Sequence, residues 1–287
     1  MIHAELRVTA VTDVTPGMRR ITLTGEGLAD FVPLAPDQQV KLFFGRDGRA
    51  PRMPEPPADR DPVTWYQRYL AIPAPERPWM RTYSVRHHRP DRREIDVDFV
   101  LHGPQGGEGP AARWAYAAGP GDVIGLVGPA LSNLRTAGAP DWKLFVGDET
   151  ALPAIGALLE DLGPDEHALV IAEVADGDEE QPWSSPARVD AHWVHRGNVS
   201  PGRSTVLVDA VRRAVFPPGE VFAWVSGEAA AVRAVRRHLV ADRGVDKRHI
   251  AFTGYWRLAL AQDDGLTTED TAEREELQRE LAEERGA

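Results

Sequence analysis

The hydrophobic pattern of this chain changes near residue 141, and that change limits the possible folds more than any other feature. Before it, apolar and polar residues alternate in short runs, as in QQVKLFF, where Val40, Leu42 and Phe44 share one face. After it, apolar strands such as WKLFVG and HALVIAEV alternate with helical segments. The pattern predicts an antiparallel β-barrel followed by an α/β domain with a parallel sheet. The length of 287 residues also suits two domains.

The first domain boundary is predicted in the Gly/Pro/Ala-rich segment RTAGAPD. The predicted units are a barrel over 1–134, an α/β domain over 141–262 and a charged C-terminal helix over 263–287. In the last unit Glu275 and Arg279 form an i,i+4 pair, which supports an isolated helix. This tail is consistent with a solvated helix, with a lid over a cleft or with a dimer contact.

Within the barrel, the Pro-rich residues 46–79 predict a long excursion between strands that packs through Trp65, Tyr66 and Tyr69. RTYSVRHH and REIDVDFVLHG then predict a hairpin around a Pro-Asp turn. GPAARWAYAA predicts a helix, and GDVIGLVGP predicts a closing strand.

Charge and cysteine content exclude several functions. The formal net charge of -11 disfavours nucleic acid or an anionic membrane as the main partner, so an anionic ligand needs a local basic pocket. The absence of cysteine excludes disulfides, zinc-cysteine sites, thiol nucleophiles and thiolate-bound iron-sulfur clusters. No apolar run is long enough to span a bilayer, so membrane insertion is not expected. MIHAELRVTA is unlike a signal peptide, so a cytoplasmic location is expected.

The segment RTYS is the first candidate for ligand binding. In an extended strand Arg81 and Tyr83 share a face, so a guanidinium could meet a phosphate while a phenol ring lies against a flat heterocycle. Ser84 points the other way unless the strand ends or bulges there. An exposed arginine, a packed tyrosine and a polar serine on an edge strand fit the same pattern.

Three glycine-containing turns precede helix-like segments. GEGPAARWA enters a helix after Gly109, and the free N–H groups of a helix start suit a pyrophosphate. VGDETALPAI and WVSGEAAAV each place a glycine between a buried strand and a helix, where open α/β sheets bind ligands. Neither is GxGxxG, and the acidic pair Asp148 and Glu149 disfavours a pyrophosphate directly above it. Each turn is also consistent with a plain loop and helix cap.

The combined set of segments resembles one known family. RTYSVR, DFVLHG, GEGPAARWA, PGDVIGLVGP, VGDETALPAI, VSGEAAAVR and IAFTGYWR follow in an order that resembles the siderophore-interacting proteins, from about Arg7 to Arg257. These are FAD-containing ferric-siderophore reductases related to ferredoxin reductases. The resemblance implies an FAD-binding β-barrel followed by a Rossmann-like NAD(P)-binding domain, with no catalytic side chain and no protein-bound metal ion.

The resemblance also implies ligand contacts position by position. At the flavin and its ribityl phosphate it implies Arg81, Thr82, Tyr83 and Ser84. Along the adenine and ribose it implies Asp98, Val100 and His102, and around the pyrophosphate Gly109, Pro110, Ala111, Ala112 and Trp114. At the nicotinamide nucleotide it implies Asp148, Glu149, Thr150, Ala151, Gly227 and Glu228, while Tyr255 and Trp256 would approach the flavin or the iron chelate.

A few basic residues between the domains would hold the anionic chelate, by the same resemblance. The candidates are Lys41, Lys247, Arg248 and Arg257, each also consistent with a solvated charge. After GYWR the continuation LALAQ departs from the basic or Gly-containing one usual in the family, which leaves the mouth of the substrate site open.

The implied function is reduction of a ferric siderophore by NAD(P)H. NAD(P)H gives up two electrons as hydride, Fe(III) accepts one, and a flavin can mediate between them. Because no cysteine-bound cluster can relay electrons, the flavin must face the chelate directly or across a very short gap. Hard oxygen ligands hold Fe(III) better than Fe(II), so reduction releases iron as Fe(II).

Two alternatives stay open at this point: a flavin-type reductase with another acceptor, and a non-catalytic ferric-siderophore binding protein. NADH and NADPH are not distinguished, because the acidic EVADGDEEQ repels a 2′-phosphate whereas His195 and Arg196 attract one. A monomer is the default expectation, with the oligomeric state and the siderophore class left open.

Overall fold

The computed structural model describes residues 2–46, 48–57, 61–101, 109–130 and 139–258. His102 and the predicted tail over 263–287 lie outside the described residues. The strands of the first half are β1 (Ile2–Thr15), β2 (Met18–Thr24), β3 (Gln39–Phe44), β4 (Trp79–Ser84), β5 (His87–Arg89), β6 (Glu94–Val100) and β7 (Val123–Gly128), and its helices are α1 (Pro62–Ala71) and α2 (Pro110–Ala117). The strands of the second half are β8 (Trp142–Gly147), β9 (His167–Val174), β10 (Arg188–His195), β11 (Val221–Glu228) and β12 (Ile250–Trp256), and its helices are α3 (Leu152–Glu160), α4 (Val206–Arg213) and α5 (Ala229–Ala241).

The first half forms one antiparallel sheet in the order β4-β3-β7-β1-β2-β6-β5. Val40, Leu42 and Phe44 lie in its core, as the alternation in β3 predicts. Strands β4 and β5 lie at opposite edges of this sheet although only two residues separate them, so the sheet must curl round. The backbone N–H of Arg86 donates to the carbonyl of Asp96 at 2.8 Å and connects the two edges. The predicted antiparallel barrel is therefore confirmed as a curled half-barrel.

Two local predictions in this half need correction. RTYSVRHH is not one strand: its first part is β4, and only β5 pairs with β6 in the hairpin. The Pro-rich excursion contains a helix, α1, that the sequence analysis missed. Trp65 and Tyr69 lie four residues apart on α1 and pack on Phe43, with ring centroids 5.4 Å away in both cases, whereas Tyr66 is 41% exposed.

The second half forms a parallel sheet in the order β10-β9-β8-β11-β12. Leu152, Ile155 and Leu159 of α3 are buried against it, in agreement with their helical spacing. This sheet and its flanking helices confirm the predicted α/β domain. Helix α4, which follows β10, was not predicted.

The two halves are in direct contact. The indole N–H of Trp224 in β11 donates to a carboxylate oxygen of Asp37 at 3.0 Å, and both residues are buried. Arg86 forms two hydrogen bonds with Glu160 of α3, at 2.6 and 3.0 Å. Met18 of β2 is buried in the core that surrounds α3. None of the helices in the described ranges has the length and apolar character needed to cross a bilayer.

Candidate functional site

Strand β4 presents the two residues of RTYS that were expected to share a face. The Tyr83 ring packs on Phe99, with centroids 4.4 Å apart, and the Arg81 guanidinium lies 5.9 Å from the Trp79 ring centre. Burial raises the pKa of the Tyr83 phenol well above its usual range, although nearby Arg81 lowers it slightly. The phenol is therefore neutral at physiological pH, and it offers an aromatic surface without a negative charge.

Ser84, at the end of β4, meets Tyr255 of β12. The Tyr255 hydroxyl lies beside the side chains of Ser84, Gln39 and Ser226, and burial raises the pKa of this phenol to about 12. Within the part of the chain that the structure describes, both the Ser84 and the Tyr255 hydroxyl oxygens are buried without a hydrogen bond of normal geometry. Two unsatisfied hydroxyls, one from each half of the chain, thus face the same point.

Helix α2 begins close to this strand. Gly109 is its N-cap residue and Pro110 its first residue, and no side chain of the described ranges caps the first turn. Among the described residues, a Cβ atom at Gly109 would contact nothing within 4 Å. Trp114 packs on Phe99 at 5.7 Å, which places α2 against the aromatic cluster that contains Tyr83. Ala111 and Ala112 lie in this first turn.

The side chains predicted along the adenine and ribose lie elsewhere. Val97 and Phe99 of β6 face the barrel core, so Asp98 and Val100 face the opposite side of the strand. Both carboxylate oxygens of Asp98 accept hydrogen bonds from Arg20, at 2.7 and 2.8 Å. Val100 packs in the core around α3. The structure does not bring these two side chains to the Tyr83 face.

At the carboxyl edge of the parallel sheet, Asp148 joins three strand ends. Its Oδ2 accepts hydrogen bonds from the backbone N–H of Glu228 (2.7 Å) and the indole N–H of Trp256 (2.8 Å). Its Oδ1 accepts from the backbone N–H and the hydroxyl of Thr150, at 2.9 and 2.5 Å. Gly227 has a φ of 142°, and a Cβ there would lie 2.7 Å from Asp148 Oδ2, so a side chain would break this arrangement. These predicted nucleotide residues are brought together, with Ala151 buried at the start of α3.

Glu149 forms a buried ion pair beside this group. Arg196 donates to both of its carboxylate oxygens, at 2.8 and 2.9 Å, and lies 3.9 Å from Glu173. Burial and the neighbouring Asp148 raise the pKa of Glu149 to about 7, against the lowering effect of Arg196. Burial also raises the pKa of Glu173. Two carboxylates thus share one guanidinium, with Asp148 beside them, and this edge of the sheet is acidic.

The four cations predicted to bind substrate are dispersed. Lys41 lies in β3 opposite Thr82, and its ammonium makes no ion pair within the described residues. Burial lowers the pKa of Lys41. Arg257 directly follows Trp256 at the carboxyl edge. Lys247 and Arg248 precede β12, which is about 20 Å long at ~3.3 Å per residue. They therefore lie at the opposite end of the strand from the carboxyl edge.

Two residues in contact with the site were missed by the sequence analysis. Asp37 binds Trp224 and raises the pKa of Tyr255 electrostatically, and Ser226 lies beside the Tyr255 hydroxyl. An acid directly before a strand is common, so APDQQV contains no specific signal for Asp37. Ser226 lies in WVSGE, whose strand-to-helix turn had been identified without this residue.

Both halves of the chain match family models. Residues 7–133 match the model described as the siderophore-interacting FAD-binding domain, and residues 140–259 match the one described as siderophore-interacting protein. An uncharacterized protein of Mycobacterium tuberculosis is 37% identical over 91% of this chain and 92% of its own length. The ferric vibriobactin reductase ViuB of Vibrio cholerae is 31% identical over 85% of both chains. The NADPH-dependent ferric-chelate reductase of Escherichia coli is 28% identical over 88% of this chain and 92% of its own.

Solved structures agree with these matches. A siderophore utilization protein from T. fusca superposes with a TM-score of 0.76 and 32% identity, covering 91% of this chain and 95% of that one. A ferredoxin NADP+ reductase from Neisseria gonorrhoeae has the same fold, with a TM-score of 0.56 and 13% identity over 89% of this chain and all of that one. The predicted ferredoxin-reductase-like architecture is thereby confirmed, and the chain belongs to the siderophore-interacting protein family.

Proposed function

We propose that this chain is an NAD(P)H-dependent, FAD-containing ferric-siderophore reductase that releases iron as Fe(II). The observation that carries the proposal is the meeting of Ser84 and Tyr255. The strand expected to hold the flavin and the strand that ends at the nucleotide edge converge at one buried point. The names of the Vibrio cholerae and Escherichia coli relatives support ferric chelates as the acceptor.

The residues at this point fit a bound FAD. The unsatisfied hydroxyls of Ser84 and Tyr255 suit the hydrogen-bonding edge of a flavin ring, because buried polar groups are rarely left without partners. The first turn of α2, which no described side chain caps, suits its pyrophosphate. Bound FAD would supply the chemistry of taking a hydride from a nicotinamide and passing single electrons to Fe(III).

The residues of the chain position and shield this group. Arg81 provides a positive charge for a phosphate on the face that it shares with neutral Tyr83. Tyr255 packs edge-on against Trp224, with ring centroids 6.3 Å apart, and Trp224 is held by buried Asp37. This packing excludes water from one side of the point where the two halves meet.

Lys41 is the best-supported substrate residue. A half-buried cation without a carboxylate partner among the described residues is costly, and an anionic ligand beside it would lower that cost. Lys41 pairs with Thr82 and so shares a sheet face with Ser84, opposite Arg81 and Tyr83, which suits a chelate that approaches the flavin from the Ser84 side. Arg257 is a second candidate, because it directly follows Trp256. Lys247 and Arg248 are no longer candidates, because they lie at the other end of β12.

The proposal is tested on purified protein reconstituted with FAD. We expect a flavin absorption spectrum, and anaerobic NAD(P)H oxidation that requires a ferric siderophore and yields about two trapped Fe(II) ions per nucleotide. Protein that stays colourless, or NAD(P)H oxidation that is independent of the chelate, contradicts it. Equal rates with dyes and ferric siderophores would favour a general flavin-type reductase.

Arg81→Ala tests the site itself. Loss of one charge-assisted contact to a phosphate should weaken FAD binding about tenfold or more. Arg92→Ala, which removes the same charge from an exposed turn, should leave FAD binding unchanged. If Arg81→Ala loses FAD but the wild type binds siderophore without reducing it, a non-catalytic binding protein is favoured. The cytoplasmic location and the monomeric state stay predictions.

A further inference from the structure

The carboxyl edge of the parallel sheet has a charge that conflicts with its proposed ligand. Asp148, Glu149, Glu173 and Glu228 are all buried there. Arg196 is the cation among them, and its guanidinium is bonded to Glu149. A nicotinamide nucleotide carries at least two phosphate charges, so binding at this edge requires a further positive group.

The helix starts at this edge do not provide that group. The Glu228 carboxylate accepts hydrogen bonds from the N–H groups of Ala230 and Ala231, at 2.6 and 3.0 Å, and so caps α5. Ahead of α3, the Asp148 carboxylate accepts from the N–H of Thr150. The start of α5 thus already has a carboxylate of this chain where a phosphate would bind, and a second carboxylate lies just ahead of α3.

The loop from β10 to α4 lies against the same edge. Gly202 has a φ of 74°, and a Cβ there would lie 2.8 Å from the Trp256 ring and 3.2 Å from the Glu228 side chain. The backbone at Gly202 is therefore packed directly on the two residues that border the edge. Two positions on, the Ser204 hydroxyl accepts from the N–H of Val206 at 3.2 Å and bonds to Glu173.

Arg203 lies between these two fixed residues. Its side chain is exposed, and it makes no ion pair or hydrogen bond with the described part of the chain. Its backbone N–H donates to the carbonyl of Ser200 at 3.1 Å. Arg257, the other arginine near Trp256, already has contacts, and its Nε is buried. Arg203 thus has a fixed backbone and a guanidinium available to a ligand.

We propose that Arg203 binds a phosphate group of the nicotinamide nucleotide and offsets the negative charge of this edge. The inference rests on the proposed function, since it names a residue for one of its two substrates. A phosphate here is either the pyrophosphate, common to both nucleotides, or the 2′-phosphate of NADPH. Arginine suits both, because its planar guanidinium donates two parallel hydrogen bonds.

The experiment compares Arg203→Ala, Arg203→Lys and Arg213→Ala, all loaded with FAD. Arg213 ends α4, about 10 Å along the helix from its start, and its loss removes the same charge from an exposed site. Binding of NAD+ and of NADP+ is measured by calorimetry, and KM for NADH and NADPH by anaerobic reduction of the flavin. FAD content is checked by absorbance in each variant.

Arg203→Ala should weaken nucleotide binding about tenfold or more, Arg203→Lys should keep part of the affinity, and Arg213→Ala should match the wild type. Weaker binding of both NAD+ and NADP+ would show that Arg203 contacts the pyrophosphate. Weaker binding of NADP+ alone would show that it contacts the 2′-phosphate. If Arg203→Ala binds both as the wild type does, the inference is wrong. If wild-type holoprotein binds and oxidises neither nucleotide, the proposed function itself fails, and the two failures are thereby distinguished.

Discussion

Replacing Asp148 by asparagine puts an N–H donor where donors already converge. The carboxylate accepts from the Thr150 N–H and hydroxyl on one oxygen, and from the Glu228 N–H and the Trp256 indole on the other. The least costly orientation turns the new amide nitrogen toward Thr150, because a hydroxyl can also accept. The Thr150 N–H then loses its acceptor, and the other two bonds lose their charge.

The size of the effect follows from these contacts. A hydrogen bond to a charged group contributes about 1.5–3 kcal/mol, and a neutral one about 1 kcal/mol. Losing the Thr150 N–H bond and weakening those to Glu228 and Trp256 should lower the free energy of unfolding by roughly 3 kcal/mol. Removal of the Asp148 charge should also lower the pKa of Glu149, to which it contributes after burial.

Urea unfolding of the FAD-loaded protein, followed by circular dichroism, measures this loss. Asp165→Asn is the matched control. Asp165 is exposed in the same half of the chain, and its side chain makes no hydrogen bond or ion pair with the described residues. The same samples give KM for NAD(P)H, which should rise in Asp148→Asn because the hydrogen bond that holds Trp256 is weakened. An unfolding free energy within about 0.5 kcal/mol of that of Asp165→Asn would refute this account of Asp148.

Two further substitutions test other buried contacts. Glu149→Gln is neutral at every pH and retains an oxygen for Arg196. In the wild type, proton binding at Glu149 contributes stability that is fully present below pH 4.5 and is lost as the pH rises through about 7. This contribution is roughly 3 kcal/mol at most. Urea unfolding between pH 5 and 8 should show a smaller fall in the variant, and an equal fall would contradict the raised pKa. Trp224→Phe should destabilise the protein by about 1.5–3 kcal/mol in the same assay, because Asp37 loses a buried donor. Trp142→Phe should cost less, since its buried indole N–H has no hydrogen-bond partner among the described residues, and equal losses would argue against the Asp37 contact.

Much of the fold could be predicted because its signals are local. The alternation in β3 and the spacing of leucines in α3 each identify a buried face within ten residues. Helix α1 was missed because prolines surround it, yet Asp61 accepts from the Thr64 N–H at 2.8 Å and Pro62 is its first residue. An acidic N-cap followed by proline is a helix-start signal that the segment does contain.

The separation of β4 from β5 could not be predicted from local pattern. RTYSVRHH is β-prone throughout, and nothing in its composition shows that the chain passes from one edge of a sheet to the other after Ser84. That passage depends on which strands pair, and in antiparallel sheets the pairing is set by contacts between residues far apart in sequence. The hairpin prediction therefore identified β5 and β6 correctly and extended the first strand too far.

Contacts within the candidate site can be predicted best where one motif contains all the partners. Thr150 and Asp148 are bonded within one turn, and both lie in the quoted VGDET. Arg196 was interpreted as a partner for a 2′-phosphate because only its neighbours in sequence were visible. The order β10-β9-β8 brings the ends of β8 and β10 near each other, so that Arg196 bonds to Glu149 instead. Such a pairing is a property of sheet order, which a single sequence does not specify.

The end of β12 connects the two parts of the proposed site. Successive residues of a strand point to opposite sides, so Tyr255 reaches Ser84 while Trp256 reaches Asp148. A change that weakens the bond holding Trp256 should therefore alter the position of Tyr255, one residue away and beside the expected flavin. We expect Asp148→Asn to shift the flavin absorption spectrum although Asp148 does not contact Ser84, and Asp165→Asn to leave it unchanged. A spectrum identical to that of the wild type in Asp148→Asn would mean that the two sides of the strand end move independently.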